Sequence, residues 1–226
     1  MAGVIVHLAV ADSTFERLGV ENTAEYYTGN IAPDCIHSRK NYEREMKKHT
    51  HLRDGIRDWD FVLPENQKIF QQRMDGFVEK YCRHEKNHDL YLGYLVHLIT
   101  DEIFMKTIRL ECAEAAEKVG IKQTDKRFFD FMMREINGSD GITAKKFHFK
   151  NDPVKLLKSA QGSFIEDYIY PEEIIDSENW IKENFFSGKE PFEPPVYVTY
   201  ERILRFIEET SDVILQRAKE YFVYLM

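Results

Sequence analysis

Two residues four positions apart in an apolar run, His97 and Asp101, have the clearest capacity for chemistry in this sequence. Residues at i and i+4 of a helix lie one above the other on the same face. The apolar spacing of residues 90–101 continues through Met105 and Ile108, which predicts a buried helix face. A carboxylate in such a face is costly unless it is ion-paired or binds a metal. An imidazole and a carboxylate converging there are two ready ligands for Zn²⁺ or another divalent ion.

A simpler interpretation of this pair stays open. A core histidine can donate a hydrogen bond to a carboxylate or a backbone carbonyl, and a buried Arg or Lys could neutralise Asp101. The spacing of His97 and Asp101 by itself does not decide between the two interpretations.

Three residues earlier in the chain complete a candidate ligand set. His7 precedes Leu8, Asp34 ends the segment 29–34, and His51 follows Thr50. Three or four N and O ligands from separate elements, with one position left for water, are what a catalytic zinc requires. Such a metal lowers the pKa of its water towards neutrality and polarises a phosphoryl oxygen. The candidate metal ligands are His7, Asp34, His51, His97 and Asp101.

A basic run lies among these candidate ligands. The cations between residues 34 and 60 are Arg39, Lys40, Arg44, Lys47, Lys48, Arg53 and Arg57. A local excess of positive charge beside metal ligands suits a phosphate ester. A solvated helix face with i to i+4 ion pairs explains the run equally well. The candidates for contacting phosphate or supporting the metal ligands are His37, His49, Arg39, Lys40 and Arg53.

Composition limits the possible classes of protein. The chain has 226 residues, 43% of them hydrophobic and 13% aromatic, enough for a sizeable core. The net charge of −8 argues against general nucleic-acid binding. The three cysteines form no CxxC motif, so neither a disulfide framework nor a thiolate zinc site is indicated. No transmembrane run and no signal peptide is predicted, and we expect a soluble, cytoplasmic protein.

Helical patterns dominate and predict a single all-α domain over residues 1–226, with a metal-ligand core over 1–120 and pocket-wall and C-terminal helices over 121–226. Residues 29–39 are expected to form a loop, and Trp180 is expected to face inward. Residues 145–150 and 196–199 are weak strand candidates. The predicted helices span 7–18, 23–27, 64–84, 87–119, 124–136, 153–159, 171–186 and 200–226.

Four short motifs follow one another within the first 110 residues. They are His7-Leu8, Gly29-x-x-Ala-x-Asp34, Thr50-His51-Leu52, and Tyr91-Leu92-Gly93-x-x-x-His97-x-x-x-Asp101. In this order they resemble the bacterial zinc-dependent phospholipase C family and, more distantly, the zinc nucleases of the same fold. The resemblance implies a helical bundle that hydrolyses a phosphodiester or phospholipid-like substrate, or another small phosphate ester.

The resemblance also implies roles for individual residues. Asp34, His51, His97 and Asp101 would hold one zinc, and Asp101 would bridge towards a second metal that His7 also binds. Asp34 would in addition be the general base that orients the attacking water.

The chain departs from the family in three places. It lacks the mature N-terminal Trp, it has Thr107 where the family has a further histidine, and it has no matching His-x-x-x-Glu after Thr107; the context of His148 fits poorly. One or two ions, Zn²⁺ or else Mn or Fe, are therefore expected. A different class also stays open, namely a non-catalytic helical binding protein with a vestigial or structural metal site.

A doublet, His88-Asp89, resembles the motif of the His-Asp phosphohydrolases, which are also helical and metal-dependent. It lies at a predicted helix start, where capping and the helix dipole explain the aspartate. His84 and His88 are expected to be solvated. No strongly amphipathic basic helix supports an enzyme that works on a membrane surface.

Overall fold

The computed structural model describes residues 1–82, 87–160, 162–189 and 192–222, except for the side chains at 219 and 222. Within these ranges the chain is all-α, as predicted, and its one β feature is an isolated bridge between Ile165 and Ile169. Short 3-10 turns span Ile36–Ser38 and Asp58–Asp60, and a π-helical turn spans Val78–Cys82. The helices are α1 Val4–Thr14, α2 Thr23–Cys35, α3 Arg44–Thr50, α4 Pro64–Phe77, α5 His88–Lys106, α6 Ile108–Lys118, α7 Lys126–Lys146, α8 Pro153–Ser159, α9 Pro171–Phe185 and α10 Tyr200–Phe222.

Helix α5 is the centre of the core. Almost all of its side chains from residue 89 to residue 105 are buried, on every side of the helix. A helix that is apolar all round belongs to the interior of a bundle. The predicted helix over residues 90–101 is thus confirmed, and its polar members, His97 and Asp101, are enclosed with it. Within the described residues, no helix is long and apolar enough to cross a membrane.

Helices α2 and α5 cross at backbone contact because each has a glycine at the crossing. A Cβ at Gly29 would lie 1.9 Å from the carbonyl oxygen of Leu90, and a Cβ at Gly93 would lie 2.1 Å from that of Tyr26. Only glycine permits such an approach. The contact brings the end of α2, with Asp34, against the middle of α5.

Two predicted breaks between helices and loops are wrong. Residues 29–35, expected to be a loop, continue α2, with Pro33 inside its last turn. Asn137-Gly138 does not end a helix, because α7 runs on to Lys146. In both places the glycine permits close backbone contact: Gly29 lies against α5, and a Cβ at Gly138 would lie 2.5 Å from the carbonyl oxygen of Glu193 in the connection before α10.

A third helix boundary was missed. The single helix predicted over 87–119 is broken at Thr107, whose φ of −126° and ψ of −88° are not helical. The Thr107 hydroxyl donates to the carbonyl of Ile103, and the Thr107 carbonyl then accepts from Leu110 and Glu111 to start α6. Side chains of this type compete with helical backbone bonds in this way.

Three further local predictions are also corrected. Residues 145–150 and 196–199 form no strand within the described part of the chain, since α7 takes up the first two residues of the former segment. Trp180 does not face inward, because 48% of its surface is exposed. The proposed helix over 200–226 is observed to Phe222; residues 223–226 and His84 lie outside the described residues.

Candidate metal centre

His97 and His51 approach each other through their Nε2 atoms, which lie 3.2 Å apart in the core. His97 Nδ1 lies 2.7 Å from the backbone carbonyl of Asn30, and His51 Nδ1 lies 2.8 Å from that of Lys47. A carbonyl only accepts hydrogen bonds, so each Nδ1 carries the proton and each neutral ring leaves a lone pair on Nε2.

Both rings are held in the neutral form. Burial lowers the pKa of His97 well below its ordinary value, and burial also lowers the pKa of His51 against the opposing effect of Asp34. Two lone pairs therefore face each other at 3.2 Å with no proton between them. That arrangement is unfavourable unless a cation lies between the two nitrogens.

Asp101 lies beside both rings. Its Oδ2 is 3.4 Å from His51 Nε2 and 3.9 Å from His97 Nε2, and this buried oxygen accepts no hydrogen bond among the described residues. Its Oδ1 accepts from the backbone N–H of Ala2 at 2.8 Å and lies 3.3 Å from His7 Nε2. Burial would raise the pKa of Asp101, but the Met1 amino group and His7 hold it well below its ordinary value. Asp101 is thus an anionic carboxylate with one free lone-pair face.

His7 is fully buried; its Nε2 has only the 3.3 Å contact with Asp101 Oδ1, and its Nδ1 has no hydrogen-bond partner within the described part of the chain. It comes from α1 and stacks on His97, with ring centroids 3.7 Å apart and planes 7° from parallel. Buried polar groups normally have partners, so this orphaned imidazole indicates a ligand that the side chains themselves do not supply.

Asp34 completes the cluster from the last turn of α2. Its Oδ1 lies 2.6 Å from Lys47 Nζ and 3.3 Å from His51 Nε2. Burial would raise the pKa of Asp34, but the Lys47 ammonium holds it well below its ordinary value. Its side chain keeps 16% of its surface exposed, more than the other members of the cluster. Asp34 is therefore the member through which the cluster can be reached.

The spacing of these donors fits a metal ion. Two ligands bound to tetrahedral zinc at about 2.0–2.1 Å are roughly 3.3–3.4 Å apart. The separations from His51 Nε2 to its three neighbours, 3.2 Å to His97, 3.3 Å to Asp34 and 3.4 Å to Asp101, match that value. Two sets of ligand atoms lie within 4.8 Å of one another, His51 with His97 and Asp101, and His7 with Asp34 and His97. The structure thus places all five predicted ligands in one cluster, which contains two groups of side chains that could hold a metal ion.

A cavity of about 710 Å³ adjoins the cluster and has Asp34 in its wall. His37 also lines it, as an exposed side chain. One group of lining residues is basic and consists of Arg44, Lys47, Lys48, Arg53 and Arg109. Another group is apolar and includes Phe129, Met132, Met133, Ile136, Trp180 and Ile181. The carboxylates of Asp34, Asp58, Asp140 and Asp176 lie in the same wall, so the cavity combines an apolar side with a side that carries both signs of charge.

The predicted supporting residues fall into two groups. Arg53 and His37 line the cavity. Arg39 instead binds Glu173 and the carbonyl of Tyr168, which anchors α9. His49 is exposed and pairs with Asp54, and Lys40 is exposed. These three do not line the cavity within the described residues.

Three residues that shape the site were not among the predicted site residues. They are Lys47, which contacts Asp34, and Arg109 and Asp140, which line the cavity. Lys47 lies four residues before His51, and this helical spacing was the one available signal. Arg109 and Asp140 gave none, because helix breaks and packing between distant helices bring them to the cavity.

The His88-Asp89 doublet has a structural explanation. Asp89 Oδ2 accepts from the backbone N–H groups of Glu21 and Asn22, which ties the start of α5 to the α1–α2 connection. His88 is only partly buried and pairs with Asp89. Among the described residues, neither belongs to a group that could hold a metal ion.

Comparisons of the chain with protein-family models, with curated proteins and with solved structures gave no match. The resemblance to the zinc-dependent phospholipase C family therefore stays a prediction from the four motifs. Function has to be argued from the geometry of the cluster and of the cavity beside it.

Proposed function

We propose that this chain is a metal-dependent phosphoester hydrolase whose ion is bound by His51, His97 and Asp101, with His7 and Asp34 completing the ligand set. The main support is the pair of Nε2 lone pairs that face each other at 3.2 Å, with both other ring nitrogens bound to carbonyls. Zinc suits this mixture of imidazole and carboxylate ligands, and Mn or Fe are alternatives.

A bound ion would supply a nucleophile near neutral pH and would polarise the phosphoryl group. The chain's own residues would do the rest of the work. Asp34, at the border between cluster and cavity, is an ionised carboxylate that can orient the attacking water by accepting a hydrogen bond from it. Lys47, 2.6 Å from Asp34, can hold a phosphoryl oxygen, and the charge on that oxygen grows during attack.

A second function is favoured by the enclosure of the cluster. His7, His51, His97 and Asp101 are all buried, and structural zinc sites are closed in this way whereas catalytic ones keep an open position. In that case the metal would stabilise a helical binding protein without turnover. A variant of Asp34 can distinguish the two proposals, because Asp34 is the proposed ligand that borders the cavity.

The test combines metal analysis with hydrolysis of an aryl phosphate and an aryl phosphodiester. We expect stoichiometric metal in the wild-type protein, loss of metal and of hydrolysis in His97→Ala, and loss of hydrolysis with most of the metal kept in Asp34→Asn. Asp54→Asn, which alters an exposed carboxylate, is the matched control and should change neither. A metal-free preparation that is folded and inert even after reloading with metal would overturn the catalytic proposal. Bound metal without turnover would favour the structural one.

A further inference from the structure

We propose that Arg53 and Arg109 form a second anion-binding site in the wall of the cavity, separate from the metal centre. Combined with the proposed function, on which this part rests, the substrate would be a phosphoester that bears a second phosphoryl or carboxylate group. The anion site itself requires no catalysis.

Arg109 is a buried cation without a carboxylate partner. It is 3% exposed, and no acidic group lies within ion-pair distance of it in the described ranges. One of its nitrogens donates to Gln123 Oε1 at 3.1 Å and the guanidinium lies 5.1 Å from the Phe128 ring, whereas its Nε has no partner in the part of the chain that the structure describes. An amide and a ring offset only part of the cost of burying a guanidinium.

Arg53 is in a similar condition. It is 4% exposed, its Nε has no partner among the described residues, and its contact with Asp58 is long, at 3.4 Å. Asp58 is itself engaged at 2.5 Å by Arg44. One carboxylate thus serves a group of three arginines. Burial lowers the pKa of Arg109, the charge of Asp58 opposes this shift, and the charges of Arg53 and Arg44 reinforce it. This corner of the cavity has an excess of positive charge that the described residues do not neutralise.

The segment Met1–Ala2 separates this corner from the metal centre. Ala2 donates its N–H to Asp101 on one side, and Met1 Sδ lies 2.8 Å from Arg53 Nη2 on the other. The two sites are therefore neighbours that share one cavity and can hold two groups of the same ligand.

The chemistry of the arginines defines the class of anion. A guanidinium offers several N–H groups in a planar fork that matches the paired oxygens of a carboxylate or a phosphoryl group. Both side chains have an unused Nε–H in the core, where a charge-assisted hydrogen bond is strong. Met132, Met133 and Ile136 of α7 also line the cavity, so the part of the ligand that joins its two anionic groups is expected to be uncharged.

The experiment uses the full chain after chelator treatment and desalting, so that no metal ion is left to bind the added anion. Inorganic phosphate and malonate are titrated by calorimetry, with thermal unfolding as a second readout. We expect saturable binding that weakens with added salt and is at least tenfold weaker in Arg109→Met. Arg127→Met, which removes an exposed arginine paired with Asp125, is the matched control and should bind like the wild type.

Stability separates a binding role from a structural one. If Arg109 exists to bind an anion, Arg109→Met in anion-free buffer unfolds at the same temperature as the wild type or higher, because a buried unpaired charge has been removed. A lower unfolding temperature with unchanged anion binding would overturn the proposal, as would absence of saturable binding to the wild type. If Arg109→Met does not fold, Arg53→Met takes its place with the same expected results.

The outcomes also distinguish this inference from the proposed function. Arginine-dependent binding of phosphate by a protein that hydrolyses no phosphoester would support the anion site and oppose catalysis. Hydrolysis of a phosphoester by a protein whose metal-free form binds no anion would support catalysis and oppose the anion site. Binding of phosphate but not malonate would identify the second group as phosphoryl, whereas binding of both would extend it to carboxylates.

Discussion

His51 and His97 point their Nε2 atoms at each other across 3.2 Å, while a backbone carbonyl fixes the opposite nitrogen of each ring. Neither ring can turn to avoid the other without breaking its bond to Lys47 or Asn30. The two Nε2 lone pairs therefore repel each other when no cation lies between them, and they are already in position for the cation that we propose. Several predictions can be made from this relationship and from the elements that impose it.

Removal of the metal is expected to destabilise the wild-type protein. An ion present at 1,000 times its dissociation constant adds about 4 kcal/mol to the free energy of unfolding. Chelator should lower the midpoint of denaturant unfolding in the wild type and leave that of His97→Ala unchanged, because this variant lacks a central ligand. Equal sensitivity of the two proteins to chelator would show that the metal binds elsewhere.

Lys47→Met is expected to strengthen metal binding and weaken hydrolysis. The ammonium lies 2.6 Å from Asp34 Oδ1 and competes with the ion for that oxygen, so its removal should tighten metal binding about tenfold. The same change removes a cation that would hold the phosphoryl group, and hydrolysis should fall. Competition titration against a metal indicator measures the first effect, with Lys68→Met on the exposed face of α4 as the control. Weaker metal binding in Lys47→Met would contradict the placement of this lysine as a competitor.

Alanine at the crossing of α2 and α5 is expected to disturb fold and metal site together. In Gly29→Ala and Gly93→Ala the new methyl group would meet backbone at 1.9 and 2.1 Å, so the helices must separate, at a cost of about 3 kcal/mol or more. Metal affinity should fall with stability, because Asp34 and His97 lie on the two helices that move apart.

Gly76 of α4 provides the matched control for that experiment. A Cβ there meets nothing within 4 Å, so Gly76→Ala should stabilise the protein by about 0.4–1 kcal/mol. Chemical denaturation of the three variants measures both effects. Wild-type metal affinity in Gly93→Ala would show that the close crossing does not position the ligands.

The stability of the protein should decline as pH rises through neutrality because of Asp140. This carboxyl is buried against the start of α1, where it accepts from the Val6 N–H, and burial raises its pKa from 3.8 to about 7. A raised pKa means that the folded state binds the proton more tightly, so the stabilisation is complete below pH 3.8 and is lost as pH rises through about 7. Three pKa units correspond to roughly 4 kcal/mol.

Asp140→Asn removes the titrating group and should flatten this dependence. The difference in unfolding free energy between wild type and variant, measured with metal-free protein, should fall by a few kcal/mol between pH 4.5 and pH 8. Asp130→Asn, on the exposed face of the same helix, should follow the wild type. A difference that stays constant over this range would mean that Asp140 is already ionised at low pH.

The parts of the molecule that local geometry determines were predictable. The i to i+4 relation of His97 and Asp101 follows from helical spacing alone, and α5 places both side chains in the core as the apolar pattern indicated. The prediction of a loop over 29–39 failed for a physical reason. Gly29 and Pro33 are helix breakers in isolation, but Gly29 is required by contact with α5, a partner that is remote in sequence.

Long-range packing determines what the sequence could not indicate. Arg109 reaches the cavity because the chain breaks at Thr107, and that break interrupts an apolar pattern that looks continuous. The pairing of Lys47 with Asp34 depends on how α3 docks against α2. A basic run in the sequence gave no means to separate Arg53, which lines the cavity, from Arg39, which anchors α9.

The donors of the cluster come from α1, α2, the residue after α3 and the middle of α5, so no short stretch of chain offers more than two of them. During folding, the connections between these elements must close before an ion can meet its full coordination shell, and the entropy lost in closing them precedes any compensation from the metal. Binding of the proposed metal is accordingly expected to be a late event, after the bundle has formed. A chain that collapses in the wrong register would therefore gain no stability from the proposed ion, and the packing of the helices themselves, including the crossing of α2 and α5, has to select the correct register.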